Sequence, residues 1–195
     1  NRKGVQLLRE LAGQWTWPVV SRYTQFVLET AAAHVTELLS RLPKGSRQFE
    51  DQLDCGLTIR LSLEIRSDRL VLDFSGTDQP MGNNFNTNSA IVRSAVLYCL
   101  RLMLDSQLPL NDGVLRPVEI QLPRCFLNPI PEHASSQAEA SQLPAVVGGN
   151  VETSQRVVDV ILGAFGITAA SQGTMNNFLF GDATFGFYET IGGGT

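Results

Sequence analysis

Between residues 18 and 42, apolar side chains recur every three or four positions: Val19, Val20, Tyr23, Phe26, Val27, Ala31, Val35, Leu38 and Leu42. With Arg22, Glu29 and Glu37 between them, this predicts a long amphipathic helix that Pro43 and Gly45 stop. Val5, Leu7, Leu8 and Leu11 show the same period, as in a helix already under way. The period then drops to two. Leu57, Ile59, Leu61, Leu63 and Ile65 alternate with polar residues, and Leu70, Leu72 and Phe74 resume the alternation after Ser67-Asp68, which predicts a β-hairpin with one buried face. Residues 47–53 supply a neighbouring strand.

Residues 75–89 lack any apolar period and contain Gly76, Pro80, Gly82, Asn83, Asn84, Asn86 and Asn88, the composition of a loop. Asn88 or Ser89 caps a helix bearing Ile91, Val92, Ala95, Val96, Cys99, Leu102 and Met103, which ends before Pro109. Val118, Ile120 and Leu122 mark a short strand. A helix from Glu152 to Phe165 buries Val157, Val158, Ile161, Leu162 and Phe165 and closes on Gly166, and short aromatic strands follow. The expectation is one α+β segment over 1–195, with long amphipathic helices packed on a mostly antiparallel β-sheet. Within it, 1–43 is helical and 46–128 holds strands and a helix. Residues 129–144, rich in Ala, Ser, Gln and Glu, form a mobile surface insertion. A glycine-rich loop, helix and strands occupy 145–195.

Hydrophobic residues make up 43% of the 195, enough for a real core. A formal net charge of -4 and a pI near 5.2 leave no basic stripe for nucleic acid or an anionic membrane surface. No apolar run is long enough to span a bilayer or form a signal core. The three cysteines, Cys55, Cys99 and Cys125, form no CxxC, so they read as reduced thiols of a cytoplasmic protein. The abrupt helical start and the Gly192-Gly193-Gly194 end fit an excised segment of a larger protein.

Three stretches carry candidate chemistry. Gly148-Gly149-Asn150 ahead of Glu152-Thr153-Ser154 has the makings of an anion site, with backbone N–H groups at a positive helix end; helix capping explains the same residues. Glu152 is a candidate general base, and a glutamate favoured by the helix dipole on the alternative reading. Ser171-Gln172-Gly173-Thr174 and Asn176-Asn177 offer neutral donors and acceptors suited to an amide ring, or else a polar turn between strands. The Asn83–Asn88 loop is explained by backbone geometry. Neither His34 nor the cysteines sit in a nucleophile or metal motif.

Several of these words occur together in one known family. Asp73-Phe74-Ser75-Gly76-Thr77, Leu110-Asn111-Asp112-Gly113 with Arg116-Pro117-Val118, Val147 to Arg156, Ala170 to Asn177, and Tyr188-Glu189-Thr190-Ile191-Gly192-Gly193-Gly194 resemble, in order, the hydantoinase B/5-oxoprolinase family. The Val158 to Gly166 stretch is most similar to its ATP-dependent 5-oxoprolinase branch. The family usually runs from the Asn-Pro near Asn128-Pro129 to Ala-Val-Val-Gly-Gly-Asn with few residues between, so His133 to Leu143 reads as an inserted surface loop.

The resemblance implies a parent that hydrolyses 5-oxo-L-proline to L-glutamate, with ATP and Mg2+ used by a hydantoinase A half that is its partner in cis or as a subunit. A homodimer is implied by analogy, and the isolated segment is expected to be inactive. A substrate-binding set of Gly148, Gly149, Asn150, Thr153, Ser154, Gln155, Ser171, Gln172, Gly173, Asn176, Asn177 and Glu189 follows from the matched motifs, with Glu152 as the catalytic candidate. The metal ligands of acetone carboxylase lie N-terminal to the matched region, so none is transferred here. N-methylhydantoinase, an acetone-carboxylase-type subunit and a non-catalytic interaction scaffold remain the alternatives.

Overall fold

The computed structural model describes residues 1–104, 108–130, 144–168, 170–171, 173 and 176–191. Two helices open the chain. α1 (Arg2–Trp15) and α2 (Trp17–Arg41) are separated by Thr16, whose φ of 67° breaks the helical path. Pro18 then sits in the first turn of α2, where its missing N–H leaves no carbonyl unpaired. Of the predicted stripe on α2, Val20, Ala31 and Val35 are buried, and Leu39 rather than Leu38 continues the buried face, whereas Tyr23 and Phe26 are exposed, as are Val5, Leu8 and Leu11 of α1.

The alternating segments form β1 (Gly45–Gln52), β2 (Thr58–Ile65) and β3 (Leu70–Asp73), an antiparallel meander in which Phe49 faces Leu61 and Leu63 faces Leu72. Ile59, Leu61, Leu63 and Ile65 are all buried on one face, each worth about 1.5–3 kcal/mol relative to exposure. β4 (Val118–Gln121) joins β3 in parallel, giving a mixed sheet ordered β1-β2-β3-β4. A parallel neighbour requires a long crossover, and α3 (Ser89–Met103) lies within it. Buried between two strands, β3 is apolar at every position except Asp73.

α4 (Glu152–Phe165) lies against β1 and β2, α3 packs on α4, and α2 packs on the 3-10 turn Asp112–Leu115. The helix-on-strand approach is close at Gly163, where a Cβ would come within 2.5 Å of the Phe49 ring. α4 ends as expected, with Gly166 left-handed at φ 70°. On α3, Leu100 is buried and Leu102 faces out, so the apolar face is narrower than its sequence implied. β5 (Asn176–Gly181) and β6 (Gly186–Ile191) form a separate antiparallel hairpin whose Phe178, Phe180 and Phe187 rings pack together 5.0–6.4 Å apart. Most of the expected insertion, 131–143, lies outside the described residues.

Candidate functional site

The asparagine-rich loop turns out to be a structural strap between the sheet and the start of α4. On the sheet side, the Thr77 hydroxyl accepts from the Arg60 N–H and donates to the Arg60 carbonyl, both at 3.1 Å, and an Asp78 carboxylate oxygen accepts from the Thr58 N–H at 2.8 Å. Asn86, with no exposed surface, accepts from the Met81 N–H and donates to the carbonyls of Met81, Asn83 and Ala145 at 2.8–3.1 Å. At the helix side, Phe85 O accepts the Thr153 hydroxyl at 2.6 Å and Asn84 O accepts the Gly148 N–H at 2.8 Å.

These bonds decide what the Gly-Gly-Asn turn can do. The N–H groups of Gly148, Gly149 and Asn150 donate to Asn84, Val146 and Val147 carbonyls respectively, so they are engaged within the chain. Gly149 is buried, and a Cβ there would lie 2.1 Å from the Asn86 carbonyl oxygen. The glycines thus serve a close approach of two chain segments, and Thr153, fully buried, ties the helix to the strap. Helix capping takes another form than expected. No side chain caps α4; the Ser154 hydroxyl instead donates back to Asn150 O and Val151 O at 3.1 and 3.0 Å.

The other predicted residues separate around α4. Asn150, Ser154, Gln155 and Ser171 line one cleft of about 720 Å³, walled by Ile91, Tyr98, Val158 and Leu162. Glu152 and Gly173 line a second cleft of about 470 Å³ with Asp54, Cys55, Phe85 and Arg156. The first, between α3 and α4, is walled largely by apolar side chains and has one carboxylate, Asp159, in its lining. The second carries charge of both signs. Asn177 accepts from the Tyr188 and Thr190 hydroxyls at 2.9 and 3.1 Å on the exposed hairpin, and Glu189 pairs with Phe178 in the ladder, so neither joins these clefts. The backbone of Asn176 lies in β5, and Gln172 lies outside the described residues.

Between the clefts runs a buried charged network that sequence reasoning missed. Arg156 Nη1 meets Asp51 Oδ2 at 2.7 Å and Asp159 Oδ2 at 3.3 Å. Asp159, 6% exposed, also accepts the Ser171 N–H on Oδ1 and the Ser171 hydroxyl on Oδ2, both at 3.0 Å. A signal existed: Asp159 interrupts the apolar run Val157 to Leu162, where an unpaired carboxylate would be costly. Nearby, burial and then the Asp159 charge push the Cys99 thiol up to about 12, and burial also raises Cys125, which makes neither a nucleophile. Among the described residues no group of three or more His, Cys, Asp or Glu side chains forms a metal site, and no helix is long and apolar enough to cross a membrane.

The sequence model of the family Hydantoinase B/oxoprolinase matches residues 1–195. The chain is 42% identical over 211 residues to 5-oxoprolinase 1 of Arabidopsis thaliana, covering 100% of itself and 16% of that protein. It is 40% identical to 5-oxoprolinase of Dictyostelium discoideum and 37% identical to that of Saccharomyces cerevisiae, again covering 100% of itself and 15% and 16% of theirs. It therefore spans about a sixth of the length of the curated relatives it matches. Among solved structures, the ATP-dependent caprolactamase from Pseudomonas jessenii shares its fold, with a TM-score of 0.69 at 20% identity, over 91% of this chain and 30% of that one. The chain belongs to the Hydantoinase B/oxoprolinase family.

Proposed function

We propose that this chain is part of a cytoplasmic ATP-dependent 5-oxoprolinase that hydrolyses 5-oxo-L-proline to L-glutamate, and that the cleft between α3 and α4 holds the lactam. The observation that carries the reading is the convergence of Asn150, Ser154, Gln155 and Ser171 on one cleft backed by apolar walls. A lactam is a cis amide, with its N–H and C=O on one edge. Carboxamide and hydroxyl side chains match that edge, and the one carboxylate of the lining, Asp159, is already paired with Arg156 and Ser171. A donor from Gln155 would hold the ring amide, and one from Asn150 would polarise the carbonyl and stabilise the oxyanion formed when water adds. The relatives named 5-oxoprolinase support the substrate class.

ATP and magnesium do not fit the described residues of this chain. The Gly148 to Asn150 amides are already bonded, and no carboxylate cluster converges. Both belong to the hydantoinase A half, the partner in cis or as a subunit, in this reading. Glu152, half-buried in the charged cleft with Arg156, is in this reading a residue of the boundary with that half and not the base.

ADP release by the full-length polypeptide, offered 5-oxoproline, N-methylhydantoin, or acetone with bicarbonate, tests the proposal. Release with 5-oxoproline and equal glutamate formation supports it. Release only with one of the other substrates moves the activity to another branch, and none with any favours a scaffold.

A further inference from the structure

Ser171 is exposed, lines the α3–α4 cleft, and is held by the largely buried carboxylate of Asp159, which lines the same cleft. Asp159 fixes both its backbone N–H and its hydroxyl proton, one on each carboxylate oxygen. Asp159 is in turn held by Arg156, which is anchored to Asp51 on β1. Arg156 also braces the same segment further on: Gly173, buried with φ 74°, lies so close to the guanidinium that a Cβ would come within 2.0 Å of Nη2. Holding three charges in so little solvent is costly, and apolar replacements of such networks are often more stable. The network therefore needs another justification than stability.

Its polarity supplies one. A hydroxyl has one proton and two lone pairs, and the proton of Ser171 is committed to Asp159. What remains for the cleft is an acceptor, made more electron-rich by the carboxylate behind it. The Ser154 proton is likewise turned back on the helix carbonyls of Asn150 and Val151. The geometry points to Ser171, oriented by Asp159, as the residue that reads the ring N–H of a cyclic amide, and so separates lactams from isosteric lactones that carry oxygen there.

The inference rests on the lactam reading above and adds the determinant of specificity. Asp159 acts through Ser171 and is a positioning residue. The test is calorimetric binding, to the full-length polypeptide, of 5-oxoproline and of its ring-oxygen isostere, 5-oxotetrahydrofuran-2-carboxylate. The wild type is expected to prefer the lactam by at least about tenfold, since a lactone would leave the acceptor facing an oxygen. Ser171→Ala should bring the two ligands within about threefold by removing that acceptor. Asp159→Asn should narrow the preference in the same way, and the double variant should be no worse than either single one.

An unchanged preference in Ser171→Ala overturns the assignment, and because that side chain is exposed the result does not depend on whether Asp159→Asn folds. Additive losses in the double variant overturn the role given to Asp159. A wild type that binds lactone as tightly as lactam, while still releasing ADP with 5-oxoproline, overturns the specificity claim alone. A wild type with no 5-oxoproline turnover overturns the substrate reading first.

Discussion

Asn86 and Asn150 stand on the two sides of the junction between the strap and α4, and the structure uses the same side chain in opposite ways. Asn86 is wholly buried and spends its carboxamide on Met81, Asn83 and Ala145. Asn150 is exposed and borders the α3–α4 cleft with Gln155 and Ser171. Composition alone treats the two alike. Burial and saturation separate them, because a buried amide with every bond made has nothing left for a ligand.

The contrast breaks hardest at Asn86. Asn86→Ala would leave the Met81 N–H and the carbonyls of Met81, Asn83 and Ala145 without this partner and open a gap at a fully buried position, and thermal or urea unfolding of this chain should show a loss of about 3 kcal/mol. A loss below about 0.5 kcal/mol, the scale of ordinary surface substitutions, would mean the strap does not hold the junction. Gly149→Ala comes next. Its Cβ would be forced to 2.1 Å from the Asn86 carbonyl oxygen, so the strap and the turn must part. The expected loss is about 2 kcal/mol, and an unfolding midpoint equal to wild type would show that the strap and the turn part at no cost.

Cys99 sharpens the same distinction between buried and open groups through pH. Its thiol is raised from 9.0 to about 12, first by burial and then by the Asp159 charge. Below pH 9 both folded and unfolded chains keep the proton, and the full stability is present. Above it the unfolded chain releases the proton while the folded one cannot, so stability falls as pH rises from about 9 toward about 12. The advantage of wild type over Cys99→Ala should therefore shrink by on the order of 1 kcal/mol between pH 8 and pH 10. A gap independent of pH in paired urea titrations would refute the buried thiol.

Which of these features the sequence disclosed follows from their physics. Periodicity is local, so α4, the β2–β3 hairpin and the left-handed Gly166 were legible from Val157, Ile161, the Leu57 to Ile65 alternation and one glycine. The parallel partnership of β3 and β4 was not, because Val118 and Ile120 show the same period whichever direction their neighbour runs. Exposed Tyr23 and Phe26 have the spacing of buried residues, since period reports a face and not what covers it. At the site, the motif words marked the right region but mixed its roles. Gly149 and Thr153 pack, Asn150 and Ser171 face a cleft, and Asp159, which holds Ser171 and Arg156, carried its signal only as a lone carboxylate in an apolar run.

The smallest effect on stability, and the one that separates the two sides most cleanly, belongs to Gln155. It lies half-exposed on the α3–α4 cleft, so Gln155→Ala should unfold within about 0.5 kcal/mol of wild type, unlike Asn86→Ala. In the full-length polypeptide the same change should raise KM for 5-oxoproline about tenfold, the usual worth of one well-made hydrogen bond to a ring amide. If kcat falls in equal proportion instead, Gln155 acts on the developing oxyanion rather than on the bound ring. Unchanged steady-state kinetics beside an unchanged melting curve would remove Gln155 from the site and leave Ser171 as the side chain to carry recognition.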